Sequence, residues 1–122
     1  RDFCLSRGLG DVYKRQILHK LNKISKKRQR HIDVYHSGDL DYGGIRIFQY
    51  ERNQVFPDLK PLQMDADTYL QHQQYSYPIR EETKRKLKKL EDGNEQIKQL
   101  LELIIQEGRG IEQESFIEVD LC

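Results

Sequence analysis

The sequence has 122 residues, of which 36% are hydrophobic and 34% charged, and its mean hydropathy of −0.87 predicts one soluble domain with a small core. No apolar run approaches the roughly 20 residues of a membrane span, and no secretion signal is recognisable, so we expect a cytoplasmic protein without a membrane partner. The net charge of +1 hides an asymmetry. Residues 1–30 carry ten Lys/Arg and two acidic residues, whereas residues 31–122 carry eleven Lys/Arg and eighteen acidic residues.

The first sixteen residues differ in character from the rest of the chain. Residues 7–16 resemble translated linker sequence of the kind found at the broken ends of gene fragments, with two glycines, scattered charges and no apolar period. We therefore expect residues 1–16 to be non-native. On this interpretation the natural protein extends upstream, and residues 17–122 form one partial domain.

A β-α-β unit is predicted in the next fifty residues. A basic amphipathic helix starts at Ile17, and alternating β-branched and aromatic residues predict a strand over residues 31–36. A turn leads into a second helix over residues 44–53, and a short strand is expected at residues 62–64. Two parallel strands that are joined by a helix imply an α/β sheet.

Three more helices are predicted in the remainder. Asp65 caps a short helix that runs to Gln73, and the segment at residues 75–78 breaks it, since it ends in proline. The next helix covers residues 81–90. The last helix has a clear apolar period that ends at Gly108, and a short acidic segment follows.

Two aspartates follow the predicted strand, where α/β sheets bind their ligands. Asp39 and Asp41 are separated by one residue, which in an extended chain places both carboxylates on one side, about 7 Å apart. Such carboxylates repel each other unless a proton or cation lies between them. Mg²⁺ typically binds one or two carboxylates and keeps several waters. The alternative is that the aspartates serve only as turn and N-cap residues.

Residues 36–45 resemble a motif of a known family. Their Gly38-Asp39-Leu40-Asp41 core, followed by Gly44, is similar to the Gly-Asp-hydrophobic-Asp-x-x-Gly element of toprim domains, which form Mg²⁺ sites in topoisomerases, primases and nucleases. Over residues 17–118 the pattern is most similar to the C-terminal toprim domain of JetD, a subunit of Wadjet plasmid-defence systems. The supporting features are the basic first helix, the segment at residues 75–78, the lysine-rich helix and the closing residues 111–114.

The resemblance implies a toprim-like (Rossmann-like) fold, with a parallel sheet flanked by helices and incomplete at its N-terminus. It implies a metal-dependent DNA endonuclease of an anti-plasmid defence system, with other subunits of a defence complex as partners. Asp39 and Asp41 would be catalytic ligands of Mg²⁺ or Mn²⁺. Glu112 would be a further catalytic acid, and the alternative for it is a solvated acid after the last helix. The family's upstream glutamate has no counterpart, because every acid before residue 33 lies in residues 1–16. We therefore expect weak cleavage or none.

Other functions remain open from the residues alone. One is a non-catalytic module that binds DNA or a partner protein. Another is an aspartyl phosphotransferase of the haloacid-dehalogenase type, although those usually have Gly-Thr after the second aspartate, where this chain has Tyr42-Gly43-Gly44. The basic run at residues 84–89 is either a surface for a DNA backbone or a solvated helix face. His36 either packs in the sheet or acts at the site.

Overall fold

The computed structural model describes residues 2–5, 11–28 and 33–113, and the side chains of residues 15–24, 26 and 33–113. Five α-helices, one short 3₁₀ helix (Gln73–Tyr75) and five short strands form this part of the chain. The helices are α1 (Asp11–Arg28), α2 (Tyr42–Gln54), α3 (Ala66–Gln71), α4 (Glu81–Lys88) and α5 (Glu95–Glu107). The strands are β1 (Asp2–Leu5), β2 (Asp33–His36), β3 (Lys60–Pro61), β4 (Ser76–Pro78) and β5 (Arg109–Ile111).

A parallel sheet with the order β1-β2-β3 lies at the centre of the predicted β-α-β unit. The α/β prediction is confirmed, with β2 as the middle strand and α2 as the connection to β3; residues 31 and 32 lie outside the described residues. The strand predicted at residues 62–64 is wrong, because pairing stops at Pro61. Leu62 still donates its N–H to the His36 carbonyl at 2.8 Å, but Gln63 has a φ of 57° and turns the chain away.

The start of the chain differs from the prediction. The helix begins at Asp11 rather than at Ile17, because good helix formers such as Lys14 and Arg15 continue a helix beyond its apolar stripe. The preceding β1 pairs in parallel with β2 over four residues. Part of residues 1–16 is therefore hydrogen-bonded to the sheet, and the non-native origin of this segment stays a prediction.

A second, antiparallel sheet consists of β4 and β5. Neither strand was predicted, because each has only three residues and one of them contains Pro78 and the other Gly110. A single bridge between Leu40 and Ile111 joins the end of β5 to the loop after β2. The end of β5 therefore lies beside the loop that carries the candidate aspartates.

The core lies between the sheet and the helices, and it includes apolar residues of the predicted helical periods as well as residues outside them. Ile24 and Ile47, expected on the buried faces of α1 and α2, are exposed. Asp65 caps α3 as predicted, although this helix ends at Gln71, and Gly108 ends α5 with a φ of 67°. In the described part, no helix is both long and apolar enough to cross a membrane. The fully buried core residues are Leu18, Val34, Leu40, Ile45, Phe48, Met64, Tyr69, Leu87, Ile97, Leu100, Ile104 and Ile111.

Candidate functional site

The loop between β2 and α2 carries both candidate aspartates. Asp41 is the N-cap of α2, and its Oδ1 accepts a hydrogen bond from the Gly44 N–H at 2.8 Å. Gly44 is buried against Asp39, since a Cβ on Gly44 would lie 1.9 Å from the Asp39 carbonyl oxygen. Only glycine permits this close approach, which confirms the predicted tight turn and places the two aspartates in one compact loop.

The Leu40–Ile111 bridge brings the end of β5 to this loop. Two main-chain hydrogen bonds of 2.8 and 3.0 Å form the bridge. Gln113 extends it, because its N–H donates to Asp39 Oδ1 at 2.8 Å and its buried side-chain amide donates to the Ser37 hydroxyl. The exposed Glu112 lies between these two anchors and is thereby held near the aspartates.

Tyr77 is a further neighbour of Asp41. Its hydroxyl donates a hydrogen bond to Asp41 Oδ2 at 2.5 Å. The close approach of β5 depends on Gly110, where a Cβ would lie 2.9 Å from Asp41 Cβ and 3.0 Å from the Tyr77 hydroxyl. Both oxygens of the Asp41 carboxylate thus have donors, and each oxygen keeps a second lone pair for another ligand.

The negative charges of Asp39 and Glu112 act on Asp41. Burial raises the pKa of Asp41, and the negative charges of Asp39 and Glu112 raise it further, while the hydrogen bonds from Tyr77 and Gly44 oppose the rise. Burial also raises the pKa of Tyr77, together with its hydrogen bond to Asp41 and the charges of the same three acids. A cation at this point would relieve the repulsion among the carboxylates.

The residues present fit a loosely held Mg²⁺ better than a fully protein-ligated metal. Among the described residues, no three His, Cys, Asp or Glu side chains come together as a metal-binding group. Two oxygen-donor carboxylates, Asp39 and Asp41, satisfy the usual protein share of a Mg²⁺ site, where waters and substrate phosphates supply the other ligands. The metal assignment and the role of Glu112 stay predictions, whereas the N-cap role of Asp41 is confirmed.

A cleft of about 370 Å³ opens beside Asp41. Tyr42 and Gly43 at the start of α2 line one side. Tyr77 and the residues that lead into α4, among them Arg80 and Thr83, line the other. Asp41 itself lines this cleft, whereas Asp39 and Glu112 do not.

His36 lies below the loop and does not reach the cleft. Its side chain is 1% exposed, and its Nδ1 lies 3.1 Å from Glu51 Oε2 on α2, at ion-pair distance but without hydrogen-bond alignment. Its ring is also 5.9 Å from that of Phe48. The packing interpretation of His36 is therefore confirmed. Glu51 was not predicted, although its spacing from Ile45 and Phe48 places an acid on the apolar face of α2.

Comparison with known proteins identifies the family. The family described as "Wadjet protein JetD, C-terminal" matches residues 16–121. A "Wadjet protein JetD" from Bacillus cereus (strain Q1) is 36% identical over 112 residues, which cover 88% of this chain but 27% of that relative. The chain thus spans about a quarter of the length of the curated relative it matches. On this similarity the chain belongs to the family of JetD C-terminal domains.

Proposed function

We propose that the chain is a toprim-like, metal-dependent DNA endonuclease domain of a Wadjet-type anti-plasmid defence system. Membership of the JetD C-terminal family supports the association with such a system. Two proposals follow from it, namely that DNA is the substrate and that other subunits of a defence complex are the partners. The small parallel sheet with acids after its middle strand is compatible with a toprim-like fold.

One observation carries this proposal, namely that Asp39 and Asp41 share the loop after β2 and that the charge of Glu112 acts on Asp41. The Leu40–Ile111 bridge and the Gln113–Asp39 hydrogen bond bring Glu112 from a distant part of the sequence to Asp39 and Asp41. Asp39 and Asp41 would hold Mg²⁺ or Mn²⁺. When bound, such an ion stabilises negative charge on the oxygens of a phosphodiester during hydrolysis.

The protein's own groups would prepare this chemistry. Tyr77 and Gly44 fix the orientation of the Asp41 carboxylate through their hydrogen bonds, and Gln113 does the same for Asp39. Glu112 is exposed beside the pair, where a carboxylate can accept a proton from water. Because the family's upstream glutamate has no counterpart, we expect the rate to be lower by about 10²–10⁴-fold, the usual contribution of a general acid/base.

A plasmid-nicking assay with Mg²⁺ or Mn²⁺ tests the proposal. We expect slow nicking of supercoiled plasmid by the unmodified chain and none by the Asp39→Asn/Asp41→Asn variant. The control variant Asp58→Asn/Asp67→Asn removes two exposed acids outside the site and should nick like the unmodified chain. Nicking that persists in the Asp39→Asn/Asp41→Asn variant would contradict the proposal, and brisk nicking by the unmodified chain would show that the upstream glutamate is not needed.

A non-catalytic binding module is the second candidate. The observation that favours it is that both oxygens of Asp41 already accept a hydrogen bond from a protein donor, and that its N-cap role explains its presence without a metal. On this candidate the chain binds DNA or a partner protein without nicking, and its affinity is the same in Mg²⁺ and in a chelator. The haloacid-dehalogenase alternative gains no such support.

A further inference from the structure

We propose that the α4 basic face, formed by Arg85, Lys86 and Lys89, binds the backbone of a DNA strand that reaches the cleft beside Asp41. This inference rests on the proposed function and names the surface that this function needs. The negative charges of Asp39, Asp41 and Glu112 repel the phosphates of an approaching DNA strand. A nuclease with such a site therefore requires positive charge next to it.

The charge of α4 is largely uncompensated. Residues 80–89 contain six cations and two acids. Glu81 lies 3.4 Å from Lys84, and Glu82 lies 3.9 Å from Lys86 in a pair whose side chains are both more than half exposed. Such exposed pairs are weak and leave the cation available to a stronger anion. Arg85 and Lys89 are exposed and form no ion pair with the part of the chain that the structure describes.

The α4 basic face is continuous with the cleft. The Lys86 Nζ lies 5.9 Å from the centroid of the Tyr42 ring, and Tyr42 follows Asp41 in the chain. Arg80 and Thr83, at the start of α4, line the cleft itself. From Arg80 to Lys89 the helical rise gives about 14 Å. A DNA strand carries one phosphate per 3.4 Å of axis, so this distance corresponds to about four phosphates.

Other cations are less suited to this role. Lys20, Lys23 and Lys26 are exposed on α1, but α1 contacts the opposite end of α2. This contact consists of the Arg15 guanidinium 5.1 Å from the Tyr50 ring and the Asn22 side chain donating to the Val55 carbonyl at 3.3 Å. On α4 itself, Lys88 lines a separate groove together with Lys98 and the acids Glu91, Asp92 and Glu102, and it does not line the cleft beside Asp41.

Fluorescence anisotropy with a labelled 20-base-pair duplex tests the inference. The 122-residue chain is titrated in a chelator at 50–200 mM salt, so that the result does not depend on metal or cleavage. The variant Arg85→Ala/Lys86→Ala/Lys89→Ala is compared with Lys20→Ala/Lys23→Ala/Lys26→Ala, which removes the same charge from α1. Alanine is the best helix former, so both helices are retained, and circular dichroism verifies this.

We expect the α4 variant to bind the duplex at least tenfold more weakly at 100 mM salt. Three lost phosphate contacts should also reduce the slope of log K against log salt by about 2.7. The α1 variant should stay within about threefold of the unmodified chain, since it keeps the contacts that make affinity depend on salt. Equal losses in the two variants would overturn the inference, because net charge alone would then explain binding. An unmodified chain that does not bind the duplex would also overturn it.

The same variants separate this inference from its competitors. Sedimentation with phosphatidylserine vesicles tests whether the α4 basic face binds a lipid surface instead. If the α4 variant binds the vesicles more weakly but binds DNA like the unmodified chain, the DNA assignment is overturned. If the α4 variant loses its affinity for DNA while the unmodified chain never nicks plasmid, the inference stands and the nuclease proposal fails. If nicking depends on Asp39 and Asp41 but the α4 variant binds DNA normally, only the inference fails.

Discussion

Gly44 is the residue on which the geometry of the aspartate loop depends most directly. A Cβ at this position would lie 1.9 Å from the Asp39 carbonyl oxygen and 2.6 Å from the attached carbon, both of which are main-chain atoms that cannot rotate away. We expect Gly44→Ala to destabilise the chain by about 3 kcal/mol, at the upper end of the usual cost of overpacking. Urea denaturation, followed by circular dichroism, measures this loss.

The neighbouring glycine provides the matched control. A Cβ on Gly43 would meet only the Asp41 Oδ1, at an ordinary contact distance of 3.6 Å. Because alanine is favoured over glycine in a helix by about 0.5–1 kcal/mol, Gly43→Ala should be neutral or slightly stabilising. Equal stabilities for the two variants would show that the loop relaxes freely and that its compact geometry is not required.

At the scale of elements, a buried contact between the side chains of His36 and Glu51 joins β2 to α2. His36 stands at the end of β2, just before the aspartate loop, and Glu51 faces it from the third turn of α2. Both side chains are almost completely buried, at 1% and 2% exposure. Removing one partner of such a pair leaves a buried polar group without its counterpart. The contact therefore links α2 to the end of β2, three residues before Asp39.

We expect Glu51→Ala to lower the free energy of unfolding by about 3–5 kcal/mol. The control Glu82→Ala removes an acid from the exposed pair on α4 and should cost less than about 1 kcal/mol. The double variant His36→Phe/Glu51→Leu replaces the pair by apolar groups and should recover most of the loss. The same urea titration measures all three variants. A Glu51→Ala variant as stable as Glu82→Ala would contradict this account.

The elements near the aspartates show how much of the fold local sequence predicts. The strand, the turn and α2 were predictable, because residues 33–54 contain their own alternation, glycines and helical period. The lengths of β3 and α1 could not be predicted, because strand pairing and helix length depend on main-chain geometry as well as on the apolar pattern. The two strands of the second sheet are too short to give a period and form only because they pair with each other.

At the scale of the molecule, the candidate site joins residues that are distant in sequence. Asp39 and Asp41 could be predicted from their local motif, whereas their partners could not. Gln113 lies 74 residues from Asp39 and Tyr77 lies 36 residues from Asp41, so these hydrogen bonds exist only once α5 and the second sheet are packed. Glu112 was proposed as a site acid from the family resemblance, and in the fold its charge acts on Asp41.

Charge is also segregated across the molecule. The cations of α4 are next in sequence to an acidic segment, since residues 90–107 contain five acids and one lysine. These acids lie in α5 or just before it, whereas the α4 basic face borders the cleft. A net charge near zero therefore conceals a local positive surface beside a local negative site, which is the distribution that a metal-dependent enzyme acting on a polyanion requires.

Calorimetric titration with Mn²⁺ tests the central claim, that Asp39 and Asp41 together hold a divalent cation. The unmodified chain should bind Mn²⁺ weakly but measurably, because two carboxylates and water form only part of a coordination shell. The Asp39→Asn/Asp41→Asn variant should fold and show no binding heat, and Asp58→Asn/Asp67→Asn should bind like the unmodified chain. Equal Mn²⁺ affinity in the unmodified chain and the Asp39→Asn/Asp41→Asn variant would contradict the account.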